Sequence, residues 1–507
     1  VLTPAHLAAA LVDPHPGVRR QAVRLSEQFA GKNPELLPAV IRLAGDPDAM
    51  VRQQVAYSLG EWPQPAAGVA LGQLSRSSED RFVVAAAMSS ALPHVGTMIA
   101  HLDLATGIDR TLLEIAIATR EPGLLLQLLQ QICAPQPRAG IPAQFTALAH
   151  FLDGLSRHRN SLAQLATAGD DAMKGVVRSA RALVAAARER AVAAPTALEE
   201  RVAAVALLGR EAAVATEDLV ILVELVASRF PVELQLAAVA ATKNLNLPTV
   251  PVRLLGGWAG HGPQVRAAIL DLLTSRPIWA NVLLDHIEAN HAMLPQIDTA
   301  HRAALSRHSN KVLAERATRI LSAGFDADRQ QVIDRYVAAC APLPGDVARG
   351  ELVFKSVCSA CHKFGDVAGG AIGPDLAGIS DRSASYLITH VLDPNRVVES
   401  RYELYTASRS DGSVLAGMLA AESGNSLTLV GLDGVEQVVL RGDLQALAST
   451  GRSLMPEGFE AAIPPGGMAD LVAFLAAPLL NARGQSASPP APGARAVHDV
   501  VVYGDSS

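Results

Sequence analysis

The chain has 507 residues, half of them apolar but only 4% aromatic, with 43 Lys and Arg against 49 Asp and Glu. That length provides for about three domains, and a composition rich in alanine and leucine but poor in aromatics favours helices over β-sandwiches. A formal charge of −6, spread without long runs, supplies no electrostatic footprint for nucleic acid or an anionic membrane, and no stretch reaches the roughly 20 apolar residues of a membrane-spanning helix.

From Val1 to about residue 342 the pattern is one of amphipathic helices separated by short polar or proline-bearing breaks. The chain opens inside this helical sequence with neither an initiating methionine nor a signal peptide, so either processing removed the start or the sequence is an excerpt of a longer protein. Some units recur. Asp13-Pro14-His15-Pro16-Gly17-Val18-Arg19-Arg20-Gln21-Ala22 returns as Asp46-Pro47-Asp48-Ala49-Met50-Val51-Arg52-Gln53-Gln54-Val55, an offset of about 33 residues, with echoes at Phe82 to Ala87, Leu234 to Ala240 and Val265 to Leu270. An Asp-Pro turn feeding a helix with apolar residues at i, i+3 and i+4 is one unit of a helical-pair array. These units resemble HEAT-type repeats. The resemblance implies an α-solenoid, in which neighbouring pairs stack because none can bury its apolar stripe alone, and whose surface either binds a protein or serves as a spacer.

Polar residues in this region do not assemble into a recognisable site. His286 and His291 are five apart and do not share a helix face as an i, i+4 zinc pair would. Trp62, Trp258 and Trp279 fall at helix ends or loop edges, where burial of a large ring is the ordinary role. No catalytic role is assigned before residue 345. Cys133 and Cys340 are expected as small buried hydrophobes.

Pro342, Pro344 and Gly345 interrupt the helical pattern and mark a domain boundary. Asp346 then caps a short helix through Arg349, Leu352, Val353 and Phe354, which leads to Cys358-Ser359-Ala360-Cys361-His362. Two cysteines at this spacing can form thioethers to the two vinyl groups of one porphyrin, and the histidine after the second can place its imidazole on the iron. The same residues are open to a zinc or dithiol reading, but zinc needs two further ligands, and neither Cys133 nor Cys340 has a second thiol near it in sequence.

A short helix running into CxxCH resembles the start of a class I cytochrome c. The resemblance implies one covalent haem c, attached through Cys358 and Cys361 with His362 as the proximal ligand. A glycine-rich loop comes after it and ends in Gly373-Pro374-Asp375-Leu376. In cytochromes c that it resembles, the carbonyl of the matching proline, here Pro374, accepts a hydrogen bond from the proximal imidazole, which fixes the tautomer and orientation of the ring.

Ser383 to Leu392 reads as a helix closed by Asp393-Pro394. From Tyr402 the period changes to two: Tyr402 to Ser408, Val414 to Leu419, Ser426 to Leu432 and Val435 to Leu440 read as strands, with Asp411-Gly412 and Asp433-Gly434 as hairpin turns. This small antiparallel sheet, about 402–440, interrupts the helical domain. Helical sequence is expected to resume near Arg441 and to end in a helix over Pro465 to Ala476. Class I cytochromes carry the second axial ligand on a loop just before the last helix, the place that Met455 occupies. Met418, in a strand, and Met468, on the last helix, are weaker rivals, and His390 would give bis-histidine ligation.

Residues 479–497 read as a flexible linker rich in Pro, Gly, Ser and Ala. Residues 498–507 look like a first strand running into a glycine turn, the opening of a dinucleotide-binding unit that the chain does not complete.

Taken together, the repeats, CxxCH, Gly-Pro-Asp-Leu, the inserted sheet and Met-Pro-x-Gly resemble the haem-binding proteins of planctomycete-type bacteria. The fold class so implied is mainly α: a HEAT-like solenoid over 1–342, then a class I cytochrome c domain over 343–478 with its β insertion. The function implied is a one-electron relay serving a dehydrogenase domain or redox partner, in the periplasm, where CxxCH attachment takes place. With His362 and Met455 both on the iron, no position is left for substrate, so the chain itself is not expected to be catalytic. The alternative is a haem-bearing interaction scaffold or a redox or gas sensor.

Overall fold

The structure, a computed structural model, describes residues 2–106, 110–136, 138–322 and 327–478. The linker read at 479–497 and the strand read at 498–507 lie outside the described residues. The molecule is mainly helical and divides into two compact units, one of residues up to Leu225 with Ala237–Leu247, the other of Val226–Leu236 with residues from Pro248 onward.

The first unit is a HEAT-like solenoid, and its recurring motif has a physical basis. In the helix Pro16–Ser26, Arg19 reaches back so that Nη1 donates to the carbonyls of Asp13 and Pro14 at 2.8 and 2.9 Å. In the helix Ala49–Leu59, Arg52 does the same to Asp46 and Pro47 at 2.7 and 3.0 Å. The two units are then joined, because Arg19 Nε and Nη2 donate to both carboxylate oxygens of Asp46 at 2.7 and 2.8 Å. The arginine thus closes its own Asp-Pro turn and grips the turn of the next repeat, a bidentate arrangement stronger than a simple ion pair. Behind it Val23, Val51, Val55 and Leu59 are buried as the shared stripe. The prolines that punctuate the sequence occupy the first turns of helices such as Pro65–Ser77 and Pro122–Cys133, where a missing N–H is harmless.

In the second unit the helices Pro263–Thr274, Pro277–Ala289, Thr299–Ser306 and Lys311–Ser322 precede a helix over Ala327–Cys340. That last helix reads by sequence as the end of the repeats. Its Ile333, Tyr336 and Cys340 instead share one core with Phe354, Phe364, Ile388 and Phe474 of the CxxCH region. The break at Pro342–Pro344 is therefore a turn inside one packed core, because the helix before it already faces its apolar side toward the CxxCH region.

The sheet comprises β1 (Glu403–Arg409), β2 (Val414–Glu422), β3 (Ser426–Val430), β4 (Glu436–Leu440) and β5 (Leu444–Ser453), in the order β4-β3-β2-β1-β5 with antiparallel pairing throughout. Gly412 and Gly434 take φ of +84° and +73° at the two expected hairpin turns. The expected return of helix at Arg441 is wrong: residues 444–453 form β5, which pairs with β1. Irregularities in that pairing near Glu403 and near Ser408 break the strict alternation of apolar residues, and Leu444 and Leu447, three apart, then read as one helix face. The insertion accordingly runs to Ser453.

The sheet is fastened by buried ion pairs. Glu403, at the start of β1, accepts from Arg266 Nη1 and from Ser449 Oγ. Arg266 also donates to Gln296 Oε1 at 3.0 Å and to the Trp258 carbonyl at 3.1 Å. Arg441 pairs with Glu422 at 3.0 Å and donates to the Ser228 carbonyl.

Candidate functional site

The chain enters the CxxCH region through the helix Val347–Val353, whose first turn is capped by Asp346 accepting from the Arg349 amide at 2.8 Å. This helix crosses the C-terminal helix Pro465–Ala476 so closely that a Cβ on Gly350 would lie 2.0 Å from the Asp470 carbonyl oxygen. Arg349 Nε and Nη2 donate to Asp470 at 2.7 and 2.8 Å, and the Asp346 amide donates to it at 2.7 Å. The Arg349 guanidinium holds the Asp470 carboxyl below the usual aspartate range. No local pattern announces this clamp; its traces in the sequence are a glycine inside a seven-residue helix and an aspartate inside an apolar one.

A π-helical turn, Phe354–Cys358, delivers the first cysteine. Beneath it Phe354, Phe364 and Phe474 form a tilted cluster, with Phe474 centroids 5.6 and 5.0 Å from the other two. The CxxCH residues close one tight turn in which the amides of Cys361 and His362 donate to the Cys358 carbonyl at 3.1 and 3.0 Å. The glycine loop folds back on it, with the Gly370 amide donating to Ser359 O and the Gly373 amide to Cys361 O, both at 2.8 Å. There is no room for larger residues. A Cβ would come within 1.9 Å of the His362 carbonyl oxygen at Gly369, 2.1 Å of the Ala360 carbonyl oxygen at Gly370, and 2.4 Å of His362 Cε1 at Gly373.

His362 Nδ1 lies 2.9 Å from the carbonyl oxygen of Pro374. A carbonyl only accepts, so Nδ1 carries the proton and Nε2 keeps its lone pair. Burial pushes the imidazole pKa down, with the Pro374 carbonyl opposing, so the ring is neutral at neutral pH, the form that ligates a metal. Both cysteines are half-buried free thiols. Burial, with Cys361 adding to it, pushes the Cys358 thiol up to about 11, which is the opposite of the depressed pKa of a redox-active CxxC. Among the described residues no three His, Cys, Asp or Glu side chains come together as a metal-binding group, whereas structural zinc uses four ligands. Two thiols and one oriented, neutral imidazole on a single turn fit what covalent haem requires: two thioether anchors and one nitrogen ligand.

Met455 is half-buried, two residues beyond β5, with its amide donating to Ser453 Oγ at 3.1 Å. The loop after it is held by the helix Ala327–Cys340: Tyr336 Oη donates to the carbonyls of Glu460 and Ile463 at 3.0 Å, and Arg329 pairs with Glu460 at 2.7 Å. Of the rivals, Met468 is fully buried in the helical core and Met418 is buried in β2. His390 is half-buried with its ring 4.2 Å from that of Tyr386. Away from this region, Trp62, Trp258 and Trp279 are buried, and the Trp258 indole donates to Gln296 at 2.6 Å.

Among the described residues no single helix is long and apolar enough to cross a membrane. Residues 4–91 match the family model of HEAT repeats. Over 40 residues, 8% of this chain, the sequence is 55% identical to cytochrome c2 of Agrobacterium tumefaciens (strain II Chrys), covering 35% of that protein. It is 52% identical over 40 residues to cytochrome c2 iso-2 of Rhodospirillum centenum, covering 32% of it. The chain thus spans about a third of the length of these curated relatives. Among solved structures, it is similar to Kap121p bound to Pho4p, with a TM-score of 0.32 at 12% identity over 67% of this chain and 44% of that one. It is also similar to the CpcE–CpcF complex of phycocyanin lyase from Nostoc sp. PCC7120, with a TM-score of 0.19 at 15% identity over 64% and 96% of the two chains.

Proposed function

We propose that the second unit is a c-type cytochrome module that relays single electrons. The observation that carries this reading is the His362 imidazole, fixed through Nδ1 by Pro374 and packed against Gly373, on the same turn as the Cys358 and Cys361 thiols. The short matches to cytochromes c2 support it.

Bound haem supplies a reversible one-electron couple. Cys358 and Cys361 would hold it covalently, and His362 Nε2 and the Met455 thioether would be the donors to its iron, the thioether favouring a higher potential than a second histidine would. Pro374 keeps the imidazole in one tautomer and orientation, as outer-shell partners of ligating histidines do. The Phe354, Phe364 and Phe474 cluster excludes water beneath the turn. A dehydrogenase, as a partner or a flanking domain, is the proposed electron source, and the periplasm the compartment.

The oxidised protein is expected to show a low-spin spectrum with the weak far-red band of His/Met ligation, lost in Met455→Ala. Survival of the band in that variant would remove Met455 from the site. The HEAT-repeat match favours a second reading, an interaction scaffold in which the haem senses redox state or a gas. Fast stoichiometric binding of carbon monoxide to the reduced protein would favour it over electron transfer.

A further inference from the structure

Three turns of the first unit converge on a cavity of about 420 Å3. The helix Arg110–Thr119 ends at Arg120, and the helix Gly140–Arg157 ends at His158 and Arg159; both arginines line this cavity. Each has left-handed backbone, with φ of 57° for Arg120 and 56° for Arg159, and they are the only non-glycine residues with positive φ among the described residues. Left-handed backbone after a helix is the ordinary place for glycine, and any other L-residue there is strained.

A helix terminus alone does not account for two arginines at such positions. Glycine would serve the turn better, and a basic residue one position earlier, in helical backbone, would serve the helix dipole as well. What the strained positions achieve is convergence. Gly154, whose Cβ would lie 2.4 Å from Ile117 Cδ1, lets the two helices close up. Gly169, whose Cβ would lie 2.5 Å from Met173 and 2.7 Å from the Leu165 carbonyl oxygen, lets the third turn close tightly on itself. Both arginines are exposed, and among the described residues neither has a carboxylate partner and none that lines the cavity carries a carboxylate. His158 stands on the rim, and the floor is apolar, with Leu125, Leu155 and Met173 buried.

We infer that this cavity is a docking site for an acidic peptide segment of a partner protein, whose carboxylates pair with Arg120 and Arg159 while an apolar side chain fills the floor. The charge complementarity is one-sided, and the volume suits one or two side chains rather than a folded surface. The site lies outside the CxxCH region and stands whether or not that region binds haem.

The probe is a fluorescein-labelled peptide of alternating aspartate and leucine, with a second peptide in which lysine replaces each aspartate, titrated against the full chain by fluorescence anisotropy. Saturable binding of the acidic peptide is expected, weakened several-fold between 0.05 and 0.5 M salt as exposed charge pairs are screened. Arg120→Gly/Arg159→Gly is expected to weaken binding at least tenfold while leaving the melting temperature unchanged or higher, since glycine relieves both strained residues. Lysine at both positions retains part of the affinity. No saturable binding by the unaltered chain, equal binding of the lysine peptide, or equal binding by the glycine variant would each overturn the assignment.

Discussion

Gly373 shows how much of the site depends on a missing side chain. A Cβ there would lie 2.4 Å from His362 Cε1 and 2.7 Å from Nδ1, so the ring would have to swing away from Pro374. Gly373→Ala is therefore expected to lose the Nδ1 hydrogen bond, a cost of about 1 kcal/mol or more, and to lower the yield of covalent haem per chain, read by the pyridine haemochrome spectrum. Gly378→Ala is the control, because nothing lies within 4 Å of its Cβ position; equal loss in both variants would show that the ring contact is irrelevant. His261 makes a different argument. Burial, and Arg266 after it, brings its imidazole down to about 4 from 6.5. As the pH falls the unfolded chain takes up this proton first, so the stability tied to His261 is complete above pH 6.5 and is lost as the pH drops towards 4, at about 1.4 kcal/mol per unit. Urea unfolding at pH 7 and pH 5 checks it: the gap between the two conditions should shrink in His261→Asn, and equal gaps would refute it.

Among the elements, the sheet sets the position of the Met455 loop. Glu403 faces Ser453 in the pairing of β1 with β5, and Met455 comes two residues later, so the bond from Arg266 to Glu403 holds the base of that loop. Both side chains are fully buried. Glu403→Gln leaves the guanidinium charge uncompensated, expected to cost 3–5 kcal/mol in urea unfolding (about the range for a broken buried pair), whereas Arg266→Met/Glu403→Leu should recover most of it. The far-red band should weaken in Glu403→Gln. An unchanged band would separate the sheet from Met455. These pairs also mark the limit of what the sequence discloses. Cys358 to His362, Pro374 and the turns at Gly412 and Gly434 were legible because local geometry demands particular residues at fixed spacing. Arg266 and Glu403 are 137 residues apart, and no local pattern links them. β5 was misread because its pairing irregularities erased the period of two, and Gly350 drew no reading because its reason, the Asp470 carbonyl, is supplied by a helix about 120 residues further on.

At the scale of the whole molecule, the boundary that prolines suggest and the boundary that packing makes are different. A fragment cut at the Pro342–Pro344 break, 343–478, would keep every residue proposed to hold haem. It would lose Ile333, Tyr336 and Cys340 from the core around Phe354, together with the Tyr336 and Arg329 bonds to the loop beyond Met455. Burying a large apolar side chain contributes about 1.5–3 kcal/mol, against a total stability of about 5–15 kcal/mol for a whole domain. The same cut removes Arg266, leaving Glu403 buried without its cation, and removes Trp258 and Gln296, which complete that network. Fragment 343–478 is therefore expected to unfold without a cooperative transition, while 226–478, which also keeps the Ser228 carbonyl for Arg441, should melt in a single one. Circular dichroism on the two purified fragments tests this. A sharp transition in 343–478 matching that of 226–478 would mean that the preceding helices are dispensable supports, and that the CxxCH region carries its own core.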